Sequence, residues 1–290
     1  MIASTDTIAE RLQKQFGALT RAEKQLGELI LANYPASGLG SITTVAQNAG
    51  VSTPTVARMV QKLGYKGFPD FQAALYRELE DRISNPIAKH DKWAEKAPGG
   101  HILNRFADAV IGNIRDSLGQ IELETFDLSC RLLADPARAV YVVGGRITHT
   151  LADYFYLHLQ VMRPRVTQIT TVSNTWPHYL LDVKEGDVFA IFDVRRYEAG
   201  TLKLAEMAAE RGAQIILFTD QWCSPAQQYA SHCFSTRIAV PSAWDSSVSV
   251  MLLLETMLAD IQERTWPEAR QRMEALEDMF DRTGVFRKFT

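Results

Sequence analysis

A short pattern in residues 41–64, SITTVAQNAGVSTPTVARMVQKLG, constrains the fold of this chain more than any other feature. Apolar residues recur at the spacing of an amphipathic helix on both sides of Gly50. Glycine accepts the left-handed backbone of a tight turn, and Ser41 and Pro54 stand where helices tend to begin. The pattern predicts two short helices joined by a glycine turn, with these residues facing inward: Ile42, Val45, Ala46, Ala49, Val56, Met59, Val60 and Leu63.

The outer face of the second predicted helix is polar or basic. No acidic residue occurs between positions 41 and 69, although the whole chain has a formal net charge of -3. Phosphate binding needs cations and hydrogen-bond donors without nearby carboxylates, and the second helix of a helix-turn-helix unit enters the major groove. We therefore expect DNA binding, the alternative being a helical hairpin with a purely structural role. The candidate DNA contacts are Ser52, Thr53, Thr55, Arg58, Lys62, Tyr65 and Lys66.

The flanking segments extend this pattern. Upstream, Thr20 and Glu23 have the spacing of a capping box, and downstream a further helix is predicted to turn Phe71, Leu75 and Leu79 inward. With VSTPTVARMVQKLGYKGFPDF at its centre, this order resembles the N-terminal domain of the RpiR (MurR/RpiR) family of bacterial transcriptional regulators. The resemblance implies a helix-turn-helix domain over residues 1–84, and these residues carry it: Ser52, Thr55, Arg58, Leu63, Gly64, Tyr65, Gly67 and Phe68.

Length and composition indicate a second domain. A chain of 290 residues with 46% hydrophobic content exceeds the usual size of a single domain. Residues 85–100, NPIAKHDKWAEKAPGG, are polar, contain two prolines and a glycine pair, and lack sustained periodicity. We interpret residues 85–100 as a linker and residues 101–290 as an effector-binding domain with flanking helices.

Five β-rich runs in the second domain alternate with helical patterns: AVYVVGG, RVTQITTV, DVFAIFDV, AQIILFTD and HCFSTRIAV. Nearly continuous apolar strands separated by helices are typical of a parallel sheet covered on both faces. The expected fold class is therefore an all-helical N-terminal domain followed by a doubly wound α/β domain. In such sheets ligands bind at the carboxyl ends of the strands.

The order of these elements over residues 125–262 resembles the SIS (sugar isomerase) domain, an α-β-α sandwich that RpiR regulators carry. The resemblance implies a Ser-x-Ser-Gly-x-Thr phosphate loop after the third strand. Here residues 193–198 read DVRRYE, without serine, glycine or threonine. Arg195 and Arg196 could hold a phosphate or a carboxylate through bidentate bonds. They could instead pair with Asp193 and Glu198 in an internal salt-bridge cluster.

Other loops are predicted to converge on the same edge of the sheet. The glycine pair Gly144-Gly145 could bring backbone amides and a helix N-terminus to an anion, or could serve only as a tight turn. Asp245 and Ser246 could contact a ligand or cap a long helix. The ligand-binding candidates are Gly144, Gly145, Arg146, Thr148, Asp193, Arg195, Arg196, Tyr197, Thr219, Asp220, Ser224, Asp245 and Ser246.

Hydropathy and the cysteine content indicate the cellular compartment of the protein. No segment approaches the roughly 20 apolar residues that cross a bilayer, and the N-terminus lacks a signal-peptide core. Cys130, Cys223 and Cys233 are odd in number, which suits a reducing compartment. We expect a cytoplasmic protein without membrane contact. The scattered histidines, such as His149 and His158, do not have the spacing of a metal site, so no metal or cofactor is expected.

These observations predict a DNA-binding transcriptional regulator whose α/β domain senses a small anionic metabolite, such as a sugar phosphate, a sugar acid or another carboxylate. The alternative is a sugar-phosphate isomerase or related SIS enzyme. We expect no enzymatic activity, because Glu255 only interrupts an apolar helix and no acid, base and phosphate anchor stand together. Helix-turn-helix units usually pair on a double-stranded operator, so a homodimer or higher homo-oligomer is expected. Residues 103–118 and 151–161 could be core or subunit contact.

Overall fold

The computed structural model describes residues 6–32, 34–83, 85–89, 100–284 and 286. Its N-terminal part is entirely helical. The amphipathic periods predicted around Gly50 form two short helices, and longer helices precede and follow them. The five helices are α1 (Ile8–Gln15), α2 (Arg21–Ala32), α3 (Ile42–Asn48), α4 (Thr53–Lys62) and α5 (Phe68–Ile83).

Local sequence signals explain the start and end of these helices. Ser41 Oγ accepts a hydrogen bond from the Thr44 amide at 3.1 Å and thereby caps α3. Gly50 has a φ of +63°, the left-handed conformation expected for the turn between α3 and α4. Thr20 and Glu23 exchange side-chain bonds to each other's amides in the predicted capping box.

The second part of the chain is a parallel α/β domain preceded by two helices. The five strands are parallel and lie in the order β2-β1-β3-β4-β5. The predicted fold class, helical and then doubly wound α/β, is confirmed. The elements are α6 (Ile102–Leu118), α7 (Leu123–Ala134), β1 (Val140–Gly144), α8 (His149–Met162), β2 (Val166–Gln168), α9 (Trp176–Leu181), β3 (Val188–Phe192), α10 (Ala199–Glu210), β4 (Gln214–Asp220), β5 (His232–Thr236), α11 (Val248–Arg264) and α12 (Trp266–Thr283).

Helices cover both faces of the sheet, so β1 and β3 are buried along their whole length although their successive side chains point in opposite directions. Phe192 and Phe218 stack at 4.6 Å on the face covered by α8 and α11. Tyr141 and Phe189 stack at 4.8 Å on the face covered by α9 and α10. This two-sided burial accounts for the continuous apolar runs in the sequence.

The structure distinguishes the roles of two helices, α6 and α8, each of which the sequence predicted to be either a core helix or a subunit contact. Phe155 and Leu159 of α8 are fully buried in the core of the α/β domain. In contrast, Leu103 and Leu118 of α6 are 68% and 51% exposed. Helix α8 is therefore mainly a core helix, whereas α6 presents apolar side chains to the surface.

The helical part packs directly against the α/β domain. Trp222 and Ile238 are buried in the same apolar cluster as the cores of α1 to α5. Arg237 of the α/β domain forms a buried ion pair with Glu10 of α1 at 2.6 Å. Residues 86–89 of the predicted linker are helical, while residues 90–99 of it lie outside the described residues. No helix in the described ranges is both long and apolar enough to cross a bilayer.

Candidate functional site

The candidate DNA contacts surround α4, but they are not equally accessible. Ser52, Arg58, Lys62 and Lys66 are exposed, and Thr53 is partly exposed. Thr55 is only 7% exposed; its hydroxyl lies 2.9 Å from Ser52 Oγ and accepts from Arg58 Nη2 at 3.4 Å. The buried hydroxyl of Thr55 therefore orients two exposed candidates rather than facing outward itself.

Lys62 has an internal partner that the local sequence did not reveal. Its ammonium group lies 2.7 Å from the carboxylate of Glu23 on α2, and the Glu23 side chain is only 3% exposed. Burial alone would raise the pKa of Glu23, but the hydrogen bonds from Lys62 and Thr20 hold it below its ordinary value. Arg58 and Lys66, by contrast, form no ion pair with any part of the chain that the structure describes.

Tyr65 supports the end of α4. Its ring packs edge-on against Phe71 at 5.5 Å, and the Arg11 guanidinium lies 5.1 Å above it. Arg11 also donates to the carbonyl of Leu63 at 3.1 Å, so it caps the carboxyl end of the helix that carries Arg58. Arg11 lies on α1, outside the pattern that predicted the site.

A cavity of about 130 Å³ opens beyond the carboxyl ends of β1 and β3. Its position agrees with the rule for ligand sites in doubly wound sheets. Several predicted residues line it, together with others that were not predicted. The predicted ones are Gly145, Arg146, Thr148, Asp193, Arg195, Arg196 and Asp245, and the others are Pro86, Lys89, Ile147, Val194, Glu198, Ala243, Trp244 and Ser247.

The remaining predicted ligand residues lie outside this lining. Tyr197 donates to Asp220 Oδ1 at 2.7 Å, and Asp220 is completely buried. The Ser224 hydroxyl donates to Asp193, and the Ser224 amide donates to Thr219 Oγ1 at 3.0 Å. These bonds form a buried network that positions the loop after β3. Of the other two predicted residues, Ser246 Oγ accepts from the first amide of α11 at 3.3 Å, and Gly144 is the last residue of β1.

The glycine loop uses its amides internally. Gly145 donates to Thr148 Oγ1 at 2.8 Å, and the amide of Arg146 donates to Glu198 Oε1 at 2.9 Å. A Cβ on Gly144 would lie 2.5 Å from the Thr148 carbonyl oxygen, so the tight turn requires glycine there. The carboxylate of Glu198 thus accepts the hydrogen bond of the Arg146 amide, which could otherwise donate to a bound anion.

Arg195 is held within the protein. Its Nε and Nη2 atoms donate to the two oxygens of Asp245 at 2.9 and 3.0 Å, and Lys89 Nζ lies 2.5 Å from the same carboxylate. The guanidinium also lies 4.3 Å above the ring of Trp222. Burial alone would raise the pKa of Asp245, but Arg195 and Lys89 hold it below its ordinary value.

The internal cluster considered for Arg195 therefore exists, but with Asp245 rather than with Asp193 or Glu198. Arg146 and Arg196 are exposed at the cavity and form no ion pair within the described residues. Two of the cavity's cations, Arg195 and Lys89, are therefore paired internally with one shared carboxylate, and the other two are open to solvent.

Asp193 is the most perturbed acid in the cavity lining. Burial, together with the nearby charges of Asp220 and Glu198, raises the pKa of its carboxyl group from 3.8 to about 6. Hydrogen bonds from Ser224 and the Glu198 backbone act in the opposite direction. The carboxyl group of Asp193 consequently changes charge close to neutral pH.

Two family descriptions match the chain. Residues 6–82 match the helix-turn-helix domain of the rpiR family, and residues 133–259 match the SIS domain. The first span contains α4 and the candidate DNA contacts. The second contains the cavity loops after β1 and β3. The family resemblance seen in the sequence is confirmed for both domains.

Two relatives that match most of the chain are named as HTH-type transcriptional regulators. The uncharacterized HTH-type transcriptional regulator CPE0189 of Clostridium perfringens is 22% identical over 276 residues, which are 91% of this chain and 95% of that protein. HexR of Escherichia coli, an HTH-type transcriptional regulator, is 24% identical over 72% of this chain and 71% of its own.

A solved structure shares the fold over both domains. The NanR protein of Vibrio vulnificus, complexed with ManNAc-6P, superposes with a TM-score of 0.55 at 16% identity. The match covers 97% of this chain and 99% of the NanR chain. At this identity the comparison shows the fold alone.

Proposed function

We propose that this chain, which belongs to the RpiR-type transcriptional regulators, senses a small anionic metabolite through its SIS domain and responds by changing its affinity for operator DNA. The observation that carries the proposal is the cavity after β1 and β3. Four basic side chains line it, namely Lys89, Arg146, Arg195 and Arg196. Guanidinium groups bind carboxylates and phosphates through charge-assisted bonds. The effector would be a sugar phosphate, a sugar acid or another carboxylate.

The DNA-binding part of the proposal depends on the surface of α4. Arg58 on α4, Ser52 just before it and Lys66 just after it are exposed, and α4 is the second helix of the helix-turn-helix unit. Such helices place their N-terminal residues against base edges, while neighbouring cations contact phosphates. Since the proposed partner is chromosomal DNA, we place the protein in the cytoplasm of a bacterium.

Pairing of two chains would bring two recognition helices to one operator. The exposed Leu103 and Leu118 of α6 and Leu157 of α8 offer apolar surface for such a contact. We propose a homodimer or a higher homo-oligomer. Sedimentation equilibrium of the full chain tests this, and a monomer at micromolar concentration in the presence of operator would contradict it.

The experiment that tests the function begins with selection of bound fragments from genomic DNA. Fluorescence anisotropy then measures operator affinity against a panel of sugar phosphates, sugar acids and small carboxylates. We expect one anion to change operator affinity at least about fivefold, which is within the usual range of coupling between sites. The same anion should raise the melting temperature of the protein.

A matched pair of variants locates the effector. Arg196→Ala removes an exposed cavity cation, and Arg270→Ala removes an exposed cation on α12 that pairs with Glu274 at 2.7 Å. We expect Arg196→Ala to weaken effector binding and Arg270→Ala to leave it unchanged. Equal effector affinity in both variants would place the binding site elsewhere.

One observation favours the second candidate, a sugar-phosphate isomerase. Asp193, with a pKa of about 6, and Glu198 both line the cavity, and a proton-transfer enzyme needs such a carboxylate. Glu255, the other acid considered, accepts from Tyr154 at 3.2 Å outside this lining. Incubation with sugar phosphates in D₂O, followed by proton NMR, tests this candidate. We expect no deuterium exchange at carbon; catalytic exchange that is lost in Asp193→Asn would establish an enzyme.

A further inference from the structure

One carboxylate joins the cavity to the helical domain. Asp245 lies shortly before α11, and it binds both Arg195 after β3 and Lys89 after the helix-turn-helix domain. All three side chains are largely buried, with exposures of 19%, 11% and 9% respectively. They also line the cavity proposed for the effector. Asp245 is thus an internal anion that forms ion pairs with two of the cavity's four cations.

Arg195 also reaches the DNA-binding domain directly. Its Nη1 atom donates to the carbonyl of Asp81 in the last turn of α5. The final carbonyls of a helix have no partner within the helix, and a cation there is stabilising. One residue further on, the Arg82 guanidinium lies 4.9 Å above the ring of Tyr197. The loop after β3 therefore holds the carboxyl end of α5.

Helix α5 in turn belongs to the core that supports α4. Phe71 and Leu75 of α5 are fully buried in one apolar cluster with Met59 and Val60 of α4. A change at the carboxyl end of α5 consequently acts on an element that is packed against the recognition helix.

We propose that an effector anion competes with Asp245 for Arg195 and Lys89, and that this exchange releases the carboxyl end of α5. The inference rests on the proposed function, because it takes the cavity as the effector site. A guanidinium fork and an ammonium group on one carboxylate form the donor set that an incoming carboxylate or phosphate would use. The effector gains the two exposed cations Arg146 and Arg196 in addition, which Asp245 does not contact.

Competition of this kind gives the effector different affinities for two states of the protein, as any allosteric effect requires. In the first state Arg195 bridges Asp245 and the Asp81 carbonyl. In the second the guanidinium turns to the effector, and the end of α5 loses its donor. Arg195 can form this bridge because its Nε and Nη2 atoms donate to Asp245 while its Nη1 atom donates to the Asp81 carbonyl.

The first test is hydrogen exchange of the full-length protein without effector or DNA. Asp245→Asn removes the anion that fixes the Arg195 guanidinium beside the Asp81 carbonyl. We therefore expect amides at the carboxyl end of α5 to exchange roughly tenfold faster than in the wild type, a factor that corresponds to one lost hydrogen bond. The matched control is Asp260→Asn, which removes the carboxylate that pairs with Arg264 on α11. Exchange in Asp245→Asn equal to that of the wild type and the control would overturn the proposal.

A second variant covers the case in which Asp245→Asn does not fold. Lys89→Gln removes one of the two cations from Asp245 and leaves the Arg195 fork in place. We expect a smaller increase in exchange, of about threefold, confined to the same end of α5. An unchanged rate in this variant would equally count against the bridge.

The competition itself is measured with inorganic phosphate as the probe anion. Isothermal titration at constant ionic strength should show phosphate binding at least about threefold tighter to Asp245→Asn than to the wild type or Asp260→Asn. Equal affinities, or no binding to any of the three, would overturn the competition. These readouts need no DNA, so a protein that binds no operator would refute the proposed function while leaving this test decisive.

Discussion

The two basic regions of this molecule, the helix-turn-helix surface and the cavity, differ in whether their cations have internal partners. On the helix-turn-helix surface, Arg58 and Lys66 are exposed and form no ion pair within the described residues. In the cavity, Arg195 and Lys89 are buried and share the carboxylate of Asp245. The first surface can receive a polyanion without internal rearrangement. The second must exchange one anion for another before its buried cations can bind a ligand.

This difference assigns different physical behaviour to the two surfaces. Exposed cations release counterions when they bind DNA, so their contribution weakens as salt increases. Buried pairs are screened much less by salt, and removing one partner leaves an uncompensated charge. Variants of buried and exposed charges should therefore behave differently, most of all at the contact that joins the two domains.

The largest expected effect belongs to Arg237, whose guanidinium lies 2.6 Å from Glu10 across the domain contact. Their side chains are only 10% and 4% exposed. Arg237→Ala leaves the Glu10 carboxylate buried without its cation, which should lower the free energy of unfolding by about 3–5 kcal/mol. Urea denaturation followed by tryptophan fluorescence measures this change.

An exposed pair provides the control for that prediction. Arg270 and Glu274 form an i,i+4 pair on α12, with side chains 65% and 63% exposed. Arg270→Ala should change the free energy of unfolding by less than about 0.5 kcal/mol. If Arg237→Ala has an equally small effect, the buried pair does not hold the domains together.

The second effect concerns Arg58, the exposed cation that Thr55 orients on α4. If Arg58 contacts a base edge, Arg58→Ala should weaken specific operator binding by roughly 1–3 kcal/mol and relax the preference at one position. Fluorescence anisotropy with the operator and single-base variants measures both quantities. Gln61→Ala, at an exposed position on the same helix, serves as control; an Arg58→Ala affinity equal to that of the control refutes the assignment.

The third effect is a pH dependence that arises from Asp193. Its folded pKa is about 6 and its ordinary value is 3.8, so the folded protein holds this proton more tightly than the unfolded chain. This group therefore makes the fold less stable as pH rises from about 4 to 6. Below pH 6 its carboxyl group is neutral, and the cavity has one negative charge fewer.

Anion binding should follow the same titration. Sulfate, whose charge is constant over this range, should bind roughly fivefold more tightly at pH 5 than at pH 8. Isothermal titration of the wild type and of Asp193→Asn measures the effect. The variant should show a flatter profile, and a profile as steep as that of the wild type would mean that another group is responsible.

The smallest effect separates two lysines that look alike in the sequence. Lys66 is unpaired within the described residues, so Lys66→Ala should reduce the slope of log affinity against log salt by about 0.9. Lys62 is already paired with Glu23 at 2.7 Å, so Lys62→Ala should reduce the slope by clearly less. Salt titrations of operator binding compare the two variants, and equal slopes would show that the Glu23 pair opens on DNA.

The same contrast explains which parts of the structure the sequence could predict. The helix-turn-helix unit depends on neighbouring residues, such as Ser41, which caps α3, and Gly50, which forms the turn. Its boundaries were therefore readable from helical periodicity. The strands were predictable for a similar reason, since each buried run is continuous in the chain.

The cavity was only partly predictable, because its ion pairs join residues that are distant in the chain. The rule that ligands bind at strand ends identified Gly145 and Arg195. Asp245 lies 50 residues from Arg195 and 156 residues from Lys89, so no local pattern indicates their pairing. Lys89 was assigned to the linker, and its role in the cavity is visible only in the structure, where it is buried and pairs with Asp245.

Polar residues at the ends of strands are the second place where the structure differs from the sequence-based prediction. Thr219 and Asp220 are the last two residues of β4 and were predicted as ligand contacts, yet both are fully buried. Asp220 accepts from the amides of Arg195 and Trp222 at 2.5 and 2.9 Å. Buried backbone donors require acceptors, and a sequence cannot show whether a carboxylate serves the backbone or a ligand.

The most direct test of the account is the reciprocal coupling between the two surfaces. Operator affinity is measured with and without a saturating concentration of the anion found by the screen, and anion affinity is measured with and without operator. Both ratios should agree at a value of at least about five in the wild type, and both should approach one in Asp245→Asn, where no internal anion remains to be displaced. Ratios of one in the wild type, or an undiminished ratio in Asp245→Asn, would contradict the account.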